Sequence, residues 1–172
     1  MRTSRIALTG MMVAVAFVLS YVEAMIPIQI GIPGIKIGLS NIVVVLCLYE
    51  CSIKETFGIA MIRILLVGFT FGSLSTMLYS FAGGILSFVI MVFLKKTKHF
   101  SVYGVSIAGG VCHNIGQIIV AVLVLQTDLL FYYFPFLLLA GSLAGMAIGF
   151  VAAMLTKRLD SVFKQIRSEK HI

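Results

Sequence analysis

Charged residues are scarce in this chain. Only 11% of its 172 residues are Asp, Glu, Lys or Arg, whereas 60% are hydrophobic and the mean hydropathy is +1.13. Soluble domains use about 25% charged residues, so this composition excludes a soluble globular domain. A helix needs about 20 apolar residues to cross a bilayer, and the sequence therefore predicts an integral membrane protein.

The sequence also lacks the residue clusters of common metal and ATP sites. Its three cysteines, Cys47, Cys51 and Cys112, are too few and too far apart for a zinc site with four ligands. The first two fall near the face that we assign below to the cytoplasm, where disulfides are rare, so we interpret all three as small packing residues. A Walker A sequence is absent. We therefore predict no metal, no cofactor and no catalytic residue, and any ATP-driven step needs another subunit.

Proline is rare, and two of the three prolines interrupt the apolar sequence within residues 23–41. Pro27 and Pro33 each remove a backbone donor and disfavour helical geometry in the preceding residue, so this stretch is not a span. It is rich in isoleucine and carries one cation, Lys36. Such a loop is suited to cover a membrane-embedded pocket as a lid, with Glu23, Lys36 and Asn41 at the pocket. The alternative is a loop that rests among lipid headgroups.

Clusters of charge, Pro and Gly divide the chain into six apolar segments and a polar end. We interpret residues 1–172 as one domain with an all-α fold, an integral membrane bundle of six transmembrane helices. The polar end has apolar residues on one face and cations on the other, which predicts an amphipathic helix along the cytoplasmic membrane surface. The predicted spans are 5–24, 38–51, 53–71, 73–94, 101–125 and 133–156, and the tail is 157–172.

The cations predict the orientation of this bundle. With six spans both termini share one side, which then holds Arg5, Lys54, the lysines at 95–98 and the basic tail, whereas Lys36 alone lies on the other side. The positive-inside rule places both termini in the cytoplasm and the lid-like loop outside, as expected for a multi-pass protein of the plasma membrane. The net charge of +7 is then a topology signal, and we expect no nucleic-acid partner.

Small residues recur at four-residue spacing in the first predicted helix. Gly10 and Ala14 form one pair in its cytoplasmic half, and Ala16, Ser20 and Ala24 form a second stripe. Small side chains let another helix approach closely, and packing of this kind drives helix association in lipid. The stripes predict contacts within the bundle or, for Gly10 and Ala14, docking of a different protein.

Two further patterns predict local structure. Ser52 and Glu55 have capping-box spacing, so a helix should begin at this point. In the last segment, Gly141, Gly145 and Gly149 form another stripe at four-residue spacing, which predicts close packing against a neighbouring helix.

Arg63 is the strongest single signal for a functional site. It lies about ten residues into the third segment, which is about 15 Å at 1.5 Å per residue, and so near the membrane centre. A charge at that depth is costly and usually faces a pocket or a partner, and no acidic residue occupies the middle of another predicted span. The sequence predicts either an anionic ligand, which Arg binds through two parallel hydrogen bonds, or a structural charge.

A second polar cluster lies in the fifth predicted helix. His113, Asn114 and Gln117 share one helical face because their spacing is i, i+1 and i+4. Lipid offers no hydrogen bonds to such side chains. The cluster therefore predicts the wall of a polar cavity, with packing between helices as the alternative.

Three stretches of the sequence resemble a known family. Residues 33–49 read PGIKIGLSNIVVVLCLY, residues 63–87 read RILLVGFTFGSLSTMLYSFAGGILS, and residues 104–121 read GVSIAGGVCHNIGQIIVA. They look like the Gx transporter family, which is also labelled heptaprenyl diphosphate synthase component I. More broadly, six helices with a small-residue first helix and a long outer loop are similar to the substrate-capture subunits of energy-coupling-factor transporters.

The broader resemblance implies a function and its partners. In such subunits the first helix presents an AxxxA motif to a transmembrane coupling subunit, which works with ATPases, and the first loop gates the pocket. The matching position here is Gly10 to Ala14, a departure that keeps the small size. We therefore expect no enzyme but the substrate-binding subunit of an importer for a small anionic nutrient or cofactor precursor, such as a vitamin. The expected substrate-binding residues are Glu23, Lys36, Asn41, Arg63, His113, Asn114 and Gln117.

Two other functions remain open at this point. One is a noncatalytic membrane subunit or anchor in isoprenoid or quinone metabolism, as the second family label implies, and the other is a self-sufficient secondary carrier in which His113 titrates. Prenyl diphosphate synthases bind magnesium through clustered aspartates such as DDxxD. This chain has two aspartates, Asp128 and Asp160, predicted on opposite sides of the membrane, so it cannot be that catalyst alone.

Overall fold

The computed structural model describes residues 2–26 and 38–168 of the chain. These residues form six α-helices and one short 3₁₀ helix, which confirms the all-α fold class. The predicted lid, with Lys36, falls outside the described residues. The helices are α1 (Arg2–Met25), α2 (Asn41–Glu50), α3 (Ile53–Thr70), α4 (Leu74–Thr97), α5 (Val102–Leu125) and α6 (Phe134–Ser168), with the 3₁₀ helix (Asp128–Tyr133) before α6.

Four of the six helices, α1, α4, α5 and α6, are long and apolar enough to cross a membrane. The other two, α2 and α3, are not among these four helices, although α3 lies within one residue of the predicted span 53–71. Helix α2 has 10 residues and rises about 15 Å, which is half of the roughly 30 Å hydrocarbon core. Helix α3 has 18 residues, but three of them, Lys54, Glu55 and Arg63, are charged.

The outer surface of the bundle is apolar. Large side chains such as Phe69 on α3, Leu123 on α5 and Leu139 on α6 are exposed, and extended exposed apolar surface marks contact with a membrane or a partner. Several polar side chains, including Ser40 and Arg63, are buried instead. This distribution agrees with a membrane protein, as composition predicted.

The turn between α2 and α3 is fixed by a capping box, as its sequence predicts. The Ser52 hydroxyl accepts from the Glu55 backbone N–H at 3.2 Å, and the Glu55 carboxylate accepts from the Ser52 N–H at 2.9 Å. Arg5 on α1 also donates to Glu55 at 3.4 Å. The start of α3 is therefore held both by its own cap and by the beginning of α1.

Helix α2 is central to the packing despite its length. Its side chains enter two apolar clusters: Val45 and Leu48 pack with residues of α3 to α6, whereas Leu46 and Cys47 pack with α1, α3 and the end of α6. A helix that is apolar on all sides is a buried one. Cys47, with none of its surface exposed, acts as the packing residue that the sequence predicted.

Residues 157–168, the described part of the predicted tail, belong to α6. The helix runs from Phe134 to Ser168, through the point at 157 where we expected a tail to begin. Phe163 is buried in the cluster with α1, α2 and α3, and Leu155 and Leu159 pack against that cluster. These three residues are spaced i, i+4 and i+8 and share one face, and this face contacts the protein.

Glycines set the close approach of α4, α5 and α6. A Cβ atom at Gly116 would lie 2.7 Å from the Ala82 carbonyl oxygen of α4, and one at Gly110 would lie 2.3 Å from the Gly141 carbonyl oxygen of α6. At Gly145 a Cβ would lie 2.7 Å from the Ile107 Cα. The stripe on α6 therefore packs against α5, as its spacing predicted.

Candidate functional site

A cavity of about 230 Å³ lies between the helices, in the half of the bundle away from the chain ends. Residues from the end of α1, the start of α2, the later half of α3, the start of α4, the later half of α5 and the start of α6 form its wall. Ten polar residues take part. They are Ser20, Glu23, Ser40, Asn41, Arg63, Thr76, Ser80, His113, Asn114 and Gln117.

The short length of α2 brings its first residues to the depth of Arg63. Helix α2 ends at Glu50 and α3 begins at Ile53, so the two helices run side by side from one turn. Asn41 and Arg63 are each about ten residues from that turn, or about 15 Å at 1.5 Å per residue. The start of α2 therefore meets the guanidinium group inside the bundle.

The start of α2 holds the Arg63 side chain through hydrogen bonds. Nη1 donates to the Ser40 hydroxyl and, at 3.1 Å, to the Asn41 Oδ1 atom. Ser40 is the residue that would normally cap α2, but it makes no capping hydrogen bond. Only 8% of Arg63 is exposed. Among the described residues its guanidinium makes side-chain hydrogen bonds through Nη1 alone.

Glu23 brings a negative charge to the cavity that Arg63 lines. Its carboxylate acts electrostatically on the Arg63 guanidinium and accepts from the Gly38 N–H at 2.5 Å. Among the described residues the two side chains form no direct ion pair, so Glu23 acts on Arg63 at a distance. The sequence placed both residues at the pocket but did not show this electrostatic effect, because it depends on how the end of α1 packs against α3.

Gly38 is adapted to this position. Its φ is +78°, a left-handed conformation that side chains rarely adopt. A Cβ atom there would also lie 3.1 Å from the Asn41 Nδ2 atom and 3.2 Å from the Ile148 Cδ1 atom. The glycine thus lets the backbone turn into α2 while its N–H reaches Glu23.

The polar stripe on α5 reaches the same cavity. Asn114 donates to the Leu137 carbonyl oxygen at 2.6 Å, so its amide also ties α5 to α6. Atoms of His113 and Gln117 lie within about 3 Å of the Cβ position of Gly83 on α4. The absence of a side chain at Gly83 therefore makes room for both residues beside the cavity.

The structure brings together six of the seven residues that the sequence predicted to bind substrate. Glu23, Asn41, Arg63 and the three polar residues of α5 line one cavity, although their contact with a ligand stays a prediction. Lys36 and the proposed lid lie outside the described residues. Ser20, Ser40, Thr76 and Ser80 were missed. These small polar residues carry no sequence signal for a site, because serine and threonine also pack membrane helices.

The residues predicted to dock a partner lie far from this cavity. Gly10 and Ala14 are exposed on α1, and a Cβ atom at Gly10 would meet nothing within 4 Å. Ala16 and Ser20, from the second stripe, are buried instead. The third member of that stripe, Ala24, is exposed. The two stripes of α1 thus differ, since Gly10 and Ala14 face outward whereas Ala16 and Ser20 pack inside the bundle.

A smaller cleft lies at the opposite end of the bundle, near the start of α1. Arg5, Glu50, Glu55 and Phe163 contribute to its wall. Within residues 2–26 and 38–168, no group of three His, Cys, Asp or Glu side chains is placed to hold a metal ion.

Comparison with known proteins assigns the chain to a family. A family model described as heptaprenyl diphosphate synthase component I matches residues 12–155, a range that contains every predicted site residue except Gly10. No curated protein and no solved structure matches the chain significantly. The match covers most of the 172 residues and confirms the resemblance seen in the three sequence stretches. This chain therefore belongs to the heptaprenyl diphosphate synthase component I family.

Proposed function

We propose that this protein is the substrate-binding subunit of an energy-coupling-factor type importer for a small anionic nutrient or cofactor precursor. The observation that carries the proposal is the environment of Arg63. A buried guanidinium lines a cavity, and the described residues bond it through one of its two terminal nitrogens. An arginine can bind a carboxylate or phosphate through two parallel N–H groups, so donors remain for an anionic group.

The start of α2 strengthens the attraction for an anion. The N-terminus of a helix carries a partial positive charge, and here it lies beside the guanidinium, with Ser40 and Asn41 in the cavity wall. Transporters commonly direct the N-termini of half-length helices at anionic substrate groups. Helix α2, with its 10 residues, is of this half length.

The size of the cavity favours a small substrate. Its volume is about 230 Å³. Drug-sized ligands need pockets of about 300–1,000 Å³. A nutrient with a polar or anionic group fits this space, whereas a long prenyl chain would have to lie outside it.

The proposed arrangement in the membrane has six spans, with α2 reaching only part of the way across. The apolar face of α3, with Ile62, Leu66 and Phe69 exposed, supports placing that helix in lipid as well. Cations near the chain ends favour cytoplasmic termini, and the cavity would then face the outside of the plasma membrane. This is the side from which a nutrient arrives.

The outward-facing pair on α1 supports a partner in the membrane. Gly10 and Ala14 are exposed, and small residues at this spacing allow another helix to approach closely. We propose that a coupling subunit docks there and that its associated ATPases supply the energy.

A second candidate follows from the description of the family. That description favours a noncatalytic membrane subunit or anchor in isoprenoid or quinone metabolism. An anchor would need no small polar ligand, so the buried cation in the cavity wall favours the importer.

The test is recovery of the native ligand. The full chain is purified under mild conditions beside an Arg63→Gln variant, and mass spectrometry identifies the small molecules that each preparation releases on unfolding. We expect one small anionic compound in stoichiometric amount from the wild type and its loss from the variant. Equal amounts from both preparations would show that the compound does not depend on Arg63. A wild type that releases no specific small molecule would favour the anchor.

A further inference from the structure

Two side chains of opposite charge line the cavity without contacting each other. Glu23 acts electrostatically on Arg63, yet the direct ion pairs within the described residues are Arg5 with Glu55 and Asp160 with Lys164. A separated pair is notable in a buried site, because ionic groups removed from water gain most when they meet and complete their hydrogen bonds.

Each of the two groups is held by partners of its own. The Glu23 carboxylate accepts from the Gly38 N–H at 2.5 Å, and Arg63 donates to Ser40 and Asn41. Glu23 is carried by α1 and Arg63 by α3. A carboxylate offers about four acceptor positions and a guanidinium five N–H groups, so both keep hydrogen-bonding capacity for a third group.

The charges decide which kind of ligand fits between them. An anion placed at Arg63 is attracted by the guanidinium but repelled by Glu23, and both effects are strong where water is scarce. A ligand that carries an anionic group and a protonated amine meets an opposite charge at each end. It also leaves no charge in the site without a partner. An unpaired charge inside a membrane is costly.

We infer that the ligand is a zwitterion of amino-acid size, with its anionic group on Arg63 and its protonated amine on Glu23. This inference rests on the proposed function and narrows its substrate class. The volume of about 230 Å³ limits the ligand to a short chain between the two charged groups. The Gln117 amide and the Ser80 hydroxyl, which line the same cavity, are neutral groups that can add hydrogen bonds to the carboxylate or the ammonium of the ligand.

The test compares matched probes that differ only by the amine. Glycine with acetate, β-alanine with propionate, and γ-aminobutyrate with butyrate are titrated into the purified full chain, and calorimetry measures their affinities. We expect at least one of the three amino acids to bind ten-fold or more tightly than its matched acid. The corresponding amine without a carboxylate should bind more weakly than the amino acid.

The variant Glu23→Gln tests whether Glu23 causes the preference for an amino acid over its matched acid. A glutamine keeps a carbonyl oxygen that can accept from the Gly38 N–H, so the local structure should be retained. The preference for the amino acid should disappear, and the matched acid should bind more tightly than it does to the wild type because the repulsion is gone. An unchanged preference in this variant would overturn the assignment of the amine to Glu23.

Two negative results of these titrations distinguish an error in the zwitterion inference from an error in the proposed function. If every acid binds the wild type as tightly as its amino acid, the zwitterion is wrong but the anion site stands. If none of the probes binds the folded wild type, the zwitterion is wrong, and the proposed function stands only if the purified wild type still releases an anionic compound that the Arg63→Gln variant lacks.

Discussion

At the scale of single residues, Ser40 contributes a hydrogen bond to the site and not to the stability of its own helix. A serine at the N-cap, just before the first helical residue, usually accepts from a backbone N–H of the first turn, and losing this bond costs about 1 kcal/mol. Ser40 makes no such bond and accepts from Arg63 instead. The chain thus uses its capping residue to orient a buried cation.

The first prediction concerns the charge and shape of Arg63. Replacing Arg63 by Ala should weaken binding of the native ligand by about 2–5 kcal/mol, as when one partner of a buried charge pair is removed. Arg63→Lys should recover only part of this loss, because an ammonium group cannot form two parallel hydrogen bonds. Calorimetry on folded protein measures both changes.

A matched control separates binding from folding. Arg5 is also an arginine that pairs with a glutamate, at 3.4 Å, but it lies at the other end of the bundle. Arg5→Ala should leave the ligand affinity unchanged. Equal affinities in the wild type and in Arg63→Ala would leave Arg63 as a structural charge.

Much of this site can be predicted from residue types, but its electrostatic balance cannot. A charge or a polar stripe inside an apolar segment has no partner in lipid, so Arg63 and His113 are conspicuous in the sequence. Ser40 and Ser20 are small residues of the kind that also pack helices, and they carry no such signal. Glu23 is visible as an acid, but its effect on Arg63 depends on how α1 is placed against α3.

At the scale of helices, glycines determine how closely α5 and α6 approach. A Cβ atom at Gly110 would lie 2.3 Å from the Gly141 carbonyl oxygen, and a backbone atom cannot move aside as a flexible side chain can. Gly110→Ala should therefore destabilise the protein by about 1–3 kcal/mol or more. Thermal unfolding in detergent measures the change.

Gly58 offers the matched comparison for that substitution. It lies inside α3, and a Cβ atom there would meet nothing within 4 Å. Gly58→Ala should be neutral or stabilising by up to about 1 kcal/mol, since alanine favours helices more than glycine does. If both variants unfold at the same temperature, the contact between α5 and α6 does not limit stability.

The helix boundaries were predictable where the chain signals them locally. The capping box at Ser52 and Glu55 fixed the start of α3 correctly, because it depends on neighbouring residues alone. The length of α2 was overestimated at its start, where Gly38 and Ser40 precede the helix. The length of α6 was underestimated, because cations after residue 156 suggested a membrane surface, whereas the apolar face with Phe163 packs against other helices.

At the scale of the whole molecule, the distribution of cations predicts the orientation in the membrane. In a background with Cys47, Cys51 and Cys112 replaced by alanine, a cysteine introduced at Lys36 should react with an impermeant reagent from outside. A cysteine at Lys98, which is exposed after α4, should react only after the cells are permeabilised. The opposite labelling pattern would reverse the orientation and place the cavity on the cytoplasmic side.

The single long helix α6 has a mechanical consequence. Its 35 residues extend about 52 Å. Ala144 and Ile148 lie in the cavity wall, and Phe163 lies in the apolar cluster formed with α1, α2 and α3. A continuous helix resists bending, so it behaves as a lever with one arm at the cavity and the other at the opposite end of the bundle. A swing of α6 about its middle that widens the cavity at Ala144 would displace Phe163 and the residues packed around it, which include Met12 on the helix turn between Gly10 and Ala14.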